Sequence, residues 1–369
     1  MKWFGRKAGR EGARVPLGSG GSAMAAGDWP RSYDAQLREA MGGNPVVQRA
    51  VRIVSDEVAR VPMTASDPAL IALVSQRISG VPLLETVAAH LMLHGNAYVQ
   101  IVTDGAGAVA MLFPLRPERV SIECDADGWP VAYRYRVGAR TTRVAAEDAA
   151  GRPQLLHLRT INPGDDHYGL GCLGAAAGAV AIHNAATRWN KALLDNAARP
   201  SGALVYDPGD GSAMTREQFE RLRGEMEAGF AGAANAGRPM LLEGGLRWQA
   251  MSITPAEMDF VALKANAARE IALAFGVPPL LLGMPGDNTH ANYREANRAL
   301  WRSTVLPLAR MVLEAIAQAV TPWFAEARLD VDLNQVLVLA EERERLWRQV
   351  SAADFLTPAE KRAMLGIEG

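Results

Sequence analysis

Cysteine is almost missing: Cys124 and Cys172 are the only two among 369 residues, 48 positions apart and in no CxxC pair. That excludes a disulfide framework and a cysteine-rich zinc site, and it fits a reducing compartment. Net charge is missing too. With 39 basic against 40 acidic residues the chain carries −1, so no global positive field is available to coat nucleic acid. Long apolar runs are scarce: the most apolar stretches are interrupted by His183 and Asn184 or by Arg310 and Glu314. The N-terminal MKWFGRKAGREGARV is basic but lacks the apolar stretch of a secretory signal, so neither export nor a membrane span is expected. There is no Gly-Lys pair for a phosphate-hydrolysing P-loop, no GxSxG and no HExxH. The commonest NTPase, serine-hydrolase and zinc-protease signatures are thereby excluded.

What remains is an ordinary folded composition: 49% hydrophobic, 6% aromatic and 21% charged, with mean hydropathy −0.03. Such a chain is too apolar for bulk disorder, and its length allows roughly two to three units at about 150 residues each. Residues 1–28 are rich in Gly, Arg and small residues and read as a loosely docked arm. Asn44-Pro45 opens an amphipathic helix with Val47, Val51, Val54, Val58 and Val61 at helical spacing. A second helix, Leu83 to His94, ends at Gly95, a suitable left-handed cap. It leads into a β-hairpin with Tyr98 to Val102 and Val109 to Phe113 as strands and 104–107 as the turn. Strands are expected at 119–123, 130–137 and 154–159, which makes the first portion α+β.

From Leu173 the pattern changes to a helix of about 25 residues, rich in small residues and stopped by Pro200. A strand at 202–206 follows, then a helix from Thr215, which with Gln218 forms a capping box, and a small β insert of strands 240–243 and 246–253. A second long helix, 255–275, ends at Gly276-Val277-Pro278-Pro279. After the polar loop LLLGMPGDNTHAN comes a third, about 293–324, kinked at Pro307. Two short helices close the chain, the last capped at Thr357-Pro358-Ala359-Glu360.

Three patterns invite a chemical reading. His90 and His94 have helical metal-ligand spacing but sit in an apolar helix without a third ligand, so packing is the expected role. Gly169-Leu-Gly171-Cys-Leu-Gly174 is a literal GxGxxG with Asp195 as a would-be ribose ligand. The dinucleotide fingerprint needs a strand running directly into the first glycine, and INPGDDHY intervenes, so these glycines read as a tight lead-in to the long helix. Asp287, Asn288, His290, Asn292 and Arg294 offer an acid, a base and a cation on one loop; a polar contact loop is the expected role, with a hydrolase built on Asp287 and His290 as the alternative. A nucleic-acid-binding module is the other alternative. No cofactor and no metal are expected.

The order of elements and several segments resemble the portal protein family of tailed double-stranded-DNA phages, in its Hong Kong 97-type branch, to which gene transfer agents contribute relatives. The segments are HGNAYVQIV (94–102), LFPLRPERV (112–120), LLHLRTINPGDDHYGLGCLGAA (155–176), REIALAFGVPPLLLG (269–283) and THANYREANR (289–298). FLTPAEKRAMLGI resembles the family's ending, with Ala359 where Asn often stands, and the likeness spans roughly residues 30–367.

The resemblance implies a non-enzymatic α+β portal fold that assembles as a ring of about twelve subunits around a central channel. In that architecture 1–28 is a flexible arm, 29–171 the wing, 172–199 a stem helix, 200–254 the clip and 255–275 the second stem helix. Residues 276–292 become the tunnel loop, 293–328 the long kinked helix and 329–369 the crown. It places Asp287, Asn288, Thr289, His290 and Asn292 against DNA. Asp259, Lys264, Arg269 and Glu270 become channel or inter-subunit candidates, with ordinary solvated helix charges as the open alternative. The implied partners are further copies of the chain, double-stranded DNA in the channel, the large terminase, the major capsid protein and the head–tail adaptor. The implied location is a capsid vertex of a virion or gene transfer agent particle assembled in the bacterial cytoplasm.

Overall fold

The computed structural model describes residues 32–195, 202–207, 214–230, 246–250, 260–284 and 290–366. The chain divides into two compact units, one of residues 1–177 and 272–369, the other of 178–271.

The larger unit opens with a short helix α1 (Tyr33–Leu37) and α2 (Pro45–Ala59), whose N-cap Asn44 accepts from the Val46 and Val47 nitrogens. Val47, Val51, Val54 and Val58 all face inward, as their spacing predicts. Then come β1 (Met63–Ala65), α3 (Pro68–Val74), the two-residue strands β2 (Arg77–Ile78) and β3 (Val81–Pro82), and α4 (Leu83–His94). Strands β4 (Asn96–Thr103) and β5 (Val109–Leu115) form the expected hairpin. Asp104 caps its turn by accepting from the Ala106 and Ala108 nitrogens. Strands β6 (Val120–Cys124), β7 (Pro130–Val137) and β8 (Arg140–Ala145) make one antiparallel sheet; β9 (Leu155–Arg159) joins β4 to give the order β5-β4-β9 in another. Tyr98, Leu115, Val120, Tyr133, Val144 and Leu155 form one apolar cluster drawn from all six strands. Ala97, Val99 and Ile101 alternate to the other face of β4, where α4 packs, so the central strand is buried on both sides.

Helix α5 (Cys172–Asp195) leads into the smaller unit. There β10 (Gly202–Tyr206) pairs with β11 (Leu246–Ala250), so the partner of 246–250 is the strand before α6 (Arg216–Phe230). Residues 240–243, expected as strand, lie outside the described residues. The capping box of α6 forms: Thr215 N donates to Gln218 Oε1 at 2.9 Å and Gln218 N to Thr215 Oγ1 at 3.3 Å. Helix α7 (Phe260–Ala274) is tied to α5 by a ring stack of Trp189 on Phe260, centroids 4.2 Å apart.

Back in the larger unit, α8 (His290–Leu300) continues through a π turn at Trp301–Val305 into α9 (Leu306–Val320). The π turn absorbs Pro307 at the start of α9, where its missing N–H costs least. By length and composition 291–320 is apolar enough to cross a membrane. Its apolar side, including Val305, Val312, Leu313, Ile316 and Val320, is buried in the protein core. Strand β12 (Leu329–Val331) then pairs with β1, and α10 (Ala340–Ala352) and α11 (Pro358–Met364) close the unit, the latter with its capping box at Thr357 and Glu360.

One buried side chain locks the start of β4. Asn96 Oδ1 accepts from Gly169 N at 2.8 Å and lies 3.0 Å from His157 Nε2; Asn96 Nδ2 donates to Gly169 O at 3.2 Å and lies 3.1 Å from His94 Nδ1. Thr160 N donates to Gly95 O at 2.9 Å and Thr160 Oγ1 to Leu170 O at 2.8 Å. Gly95 has φ +81°, and a Cβ there would come within 2.5 Å of Gly171 N, while Cβ atoms on Gly169 or Gly171 would collide with the Gly95 and Leu93 carbonyls. The GxGxxG glycines therefore permit backbone-to-backbone contact, which leaves no room for a pyrophosphate. Around this lock burial holds His94 at about 4; burial, with His94 and the positive Arg116 nearby, holds His90 at about 4. Burial, with Arg159, His167 and His94, holds His157 at about 3.

Two outcomes follow from the lock. Asn96→Ala leaves the half-buried Gly169 amide and carbonyl without their partner and lowers unfolding free energy by about 2 kcal/mol in urea titration; an unchanged midpoint contradicts the assignment. Because His90, His94 and His157 are neutral in the fold with depressed pKa values, the unfolded chain protonates first as pH falls. Their contribution is complete above about pH 6.5 and declines until the folded values of about 4, 4 and 3 are reached. His157→Gln removes one of these protons, flattening the stability-against-pH slope below pH 6 by about 1.4 kcal/mol per pH unit.

Candidate functional site

The candidate segment 276–292 begins at the end of α7. Val277 N donates to Ala272 O at 2.9 Å and Gly276 N to Leu273 O at 3.1 Å, the paired bonds of a Schellman cap with Gly276 at φ +64°. Thr304 Oγ1 donates to Gly276 O at 2.7 Å, and Phe275 and Val277 are each 2% exposed, so this end is pinned to the core. Pro279–Leu282 forms a 3₁₀ turn that closes on Gly283 at φ +75°.

Asp287, Asn288 and Thr289 lie outside the described residues. His290 and Asn292 do not sit on the loop as expected: His290 is the first residue of α8 and Asn292 is exposed in its first turn. The amphipathic run HANYREANRAL extends the helix three residues further back than the expected start at 293. Arg294, read as the cation of an acid–base set, is committed elsewhere: its Nη1 donates to Glu341 Oε1 of α10 at 2.9 Å. Arg298 reaches Glu341 Oε2 at 2.8 Å and Glu295 Oε1 at 2.7 Å, and Arg302 lies 3.6 Å from Glu342. Sequence reasoning missed this network, because an attraction across more than 40 residues has no local spacing. It ties the helix after the loop to the C-terminal helices.

Of the stem candidates, Asp259 lies outside the described residues. Lys264 is half-buried on α7 beside His183 of α5, whose pKa burial and this ammonium both push down. Arg269 and Glu270 are exposed; Arg269 Nη1 donates to Asn266 Oδ1 at 3.5 Å on its own helix. Among the described residues no three His, Cys, Asp or Glu side chains gather as a metal cluster. The described start of the segment is anchored at Gly276, and the helix that follows it is cross-braced by ion pairs.

Gly276→Ala places a Cβ 2.8 Å from Thr304 Oγ1 at a left-handed φ. The variant is expected to lose about 2 kcal/mol in denaturant unfolding and to raise amide exchange across 277–284; native-like exchange there contradicts the clamp.

The sequence profile of the phage portal protein family matches residues 45–366. A protein of Rickettsia felis is 38% identical over 346 residues, spanning 89% of this chain and 88% of that one. A probable portal protein of Streptomyces phage phiC31 is 26% identical over 267 residues, 72% of this chain and 54% of that one. Among solved structures, a chain in the neck of an empty gene transfer agent particle, with C6 symmetry, is 45% identical. It covers 92% of this chain and 94% of its own, with a TM-score of 0.71. A chain in the neck of the native particle, with C12 symmetry, matches at 45% identity and a TM-score of 0.70, covering 94% of this chain and 97% of its own. With a profile match over most of its length, the chain belongs to the phage portal protein family, whose members are structural connectors rather than enzymes.

Proposed function

We propose that this protein is the portal of a gene transfer agent-like or phage particle: a homo-oligomeric ring at one capsid vertex that forms the channel for DNA packaging and exit. The observation that carries it is the 45% identity and 0.71 TM-score to a chain in the neck of a gene transfer agent particle over 92% of this chain. The six-fold and twelve-fold symmetry of those necks supports a closed ring. In this reading residues 29–171 form the wing, α5 and α7 the stem, 200–254 the clip and 329–369 the crown. The clip docks the large terminase during packaging and the head–tail adaptor afterwards, while the wing meets the major capsid protein. The terminase supplies the energy, and the portal supplies the channel and its register.

Near-neutral charge suits this task, because a channel that bound phosphates tightly would stall the DNA it must pass. The segment 276–292 acts as the tunnel loop, with Asp287, Asn288, Thr289, His290 and Asn292 giving polar contact of low positive charge. Asp259, Lys264, Arg269 and Glu270 line the channel or pair between subunits. Replacing His290 and Asn292 together with Ala is expected to leave ring mass unchanged while particles lose DNA content at least several-fold, read as nuclease-protected DNA per particle. Full DNA content in the variant contradicts the loop assignment.

A further inference from the structure

One flank of the larger unit carries a rigid apolar projection. Ile161 is 86% exposed and Leu170 54% exposed, on a loop that does not yield. Asn162 Nδ2 donates to Tyr168 O at 2.8 Å, Asp165 Oδ1 accepts from the His167 and Tyr168 nitrogens, and Thr160 grips Leu170 as described. Exposed aliphatic side chains on a loop already fixed by hydrogen bonds lose little entropy when covered, which favours a contact surface. The exposed carboxylate of Asp166 stands on the same loop.

Elsewhere on this unit lies a groove of about 1170 Å³ between the β1–β12 pair and α11. Val331, Leu333 and Leu365 supply apolar lining; Arg310, Arg328, Arg343 and Arg362 supply positive charge. Arg310 shares Asp330 at 3.3 Å and Arg328 meets Glu326 at 3.7 Å, both exposed pairs of small worth. The Asp332 carboxylate is used by Asn334 N and Gln335 Nε2. Arg343 is pinned by Asn334 and the Leu365 carbonyl, with its buried Nε unpartnered, and Arg362 has no ion pair among the described residues. The groove thus asks for an apolar side chain accompanied by negative charge.

The projection and the groove are separate patches of the larger unit. The projection is bound to Asn96, the first residue of β4, whereas the turn at the far end of β4 accepts a bond from Trp323, Nε1 to Gly107 O at 2.8 Å, just ahead of β12. The eight extended residues of β4 place its two ends about 23 Å apart. Two unlike, complementary patches on one subunit are what a head-to-tail contact in a cyclic ring requires. We propose that the loop 161–170 of one copy seats in the arginine-lined groove of the next copy around the ring. This rests on the ring reading above.

The test uses the full-length chain carrying Ile161→Cys and Ala363→Cys, with Cys124 and Cys172 changed to Ala, treated with a short bismaleimide. A ladder of covalent oligomers is expected from the double-cysteine protein and from neither single one. In parallel, Ile161→Asp with Arg362→Glu, both exposed positions, is expected to keep the unfolding midpoint and lose ring mass in light scattering. Rings of wild-type mass in that variant, with no ladder, overturn the inference and leave the ring intact. A wild-type chain without rings and without a ladder, alone and with the capsid partners, overturns the ring reading and this contact with it.

Discussion

The Asn96 carboxamide satisfies groups from three separate segments at once, and the larger unit depends on it. It receives the turn at the end of α4, opens the central strand and holds Gly169 in a reciprocal pair of bonds. Because the carboxamide is buried and its partners are half-buried, each lost bond leaves a partly desolvated polar atom unpaired. The close approach of Gly95 to Gly169 and Gly171 makes the same demand sterically. Two of the stretches that carry the family resemblance, 94–102 and 155–176, meet at this lock.

The larger unit combines a packed body with the candidate segment that follows α7. The body is the two packed sheets with α2, α4 and α9 at their back around an apolar core, in which His90 Nδ1 and the Tyr98 hydroxyl are buried without a hydrogen-bond partner among the described residues. The candidate segment follows a Schellman cap held by Thr304, and the helix after it is braced by Arg294 and Arg298 on Glu341.

Elements set by local chemistry were legible in the sequence. The Val47–Val58 stripe, the αL cap at Gly95, the Asp104 turn and the capping boxes at Thr215 and Thr357 all depend on residues within a few positions of one another. The long-range pairings were not: β1 with β12 joins residues more than 250 apart, and β8 reads as a polar run because only Val144 of RTTRVA is buried. Helix α8 was expected three residues late, since its first turn is polar and carries no apolar period. The GxGxxG glycines were read correctly as structural, but the partner they serve, Gly95, lies over 70 residues upstream and leaves no trace in spacing. Family membership was legible through the order of several weak segments rather than through any single motif.

The central claim is a closed ring around an open channel, and single-particle electron microscopy of the purified full-length chain tests it most directly. The account predicts rotationally symmetric rings of identical subunits with an open centre, within which this fold fits as one repeating subunit. Particles that are monomers or dimers at every salt concentration and in the presence of the capsid partners, with no ring at any particle vertex, contradict it.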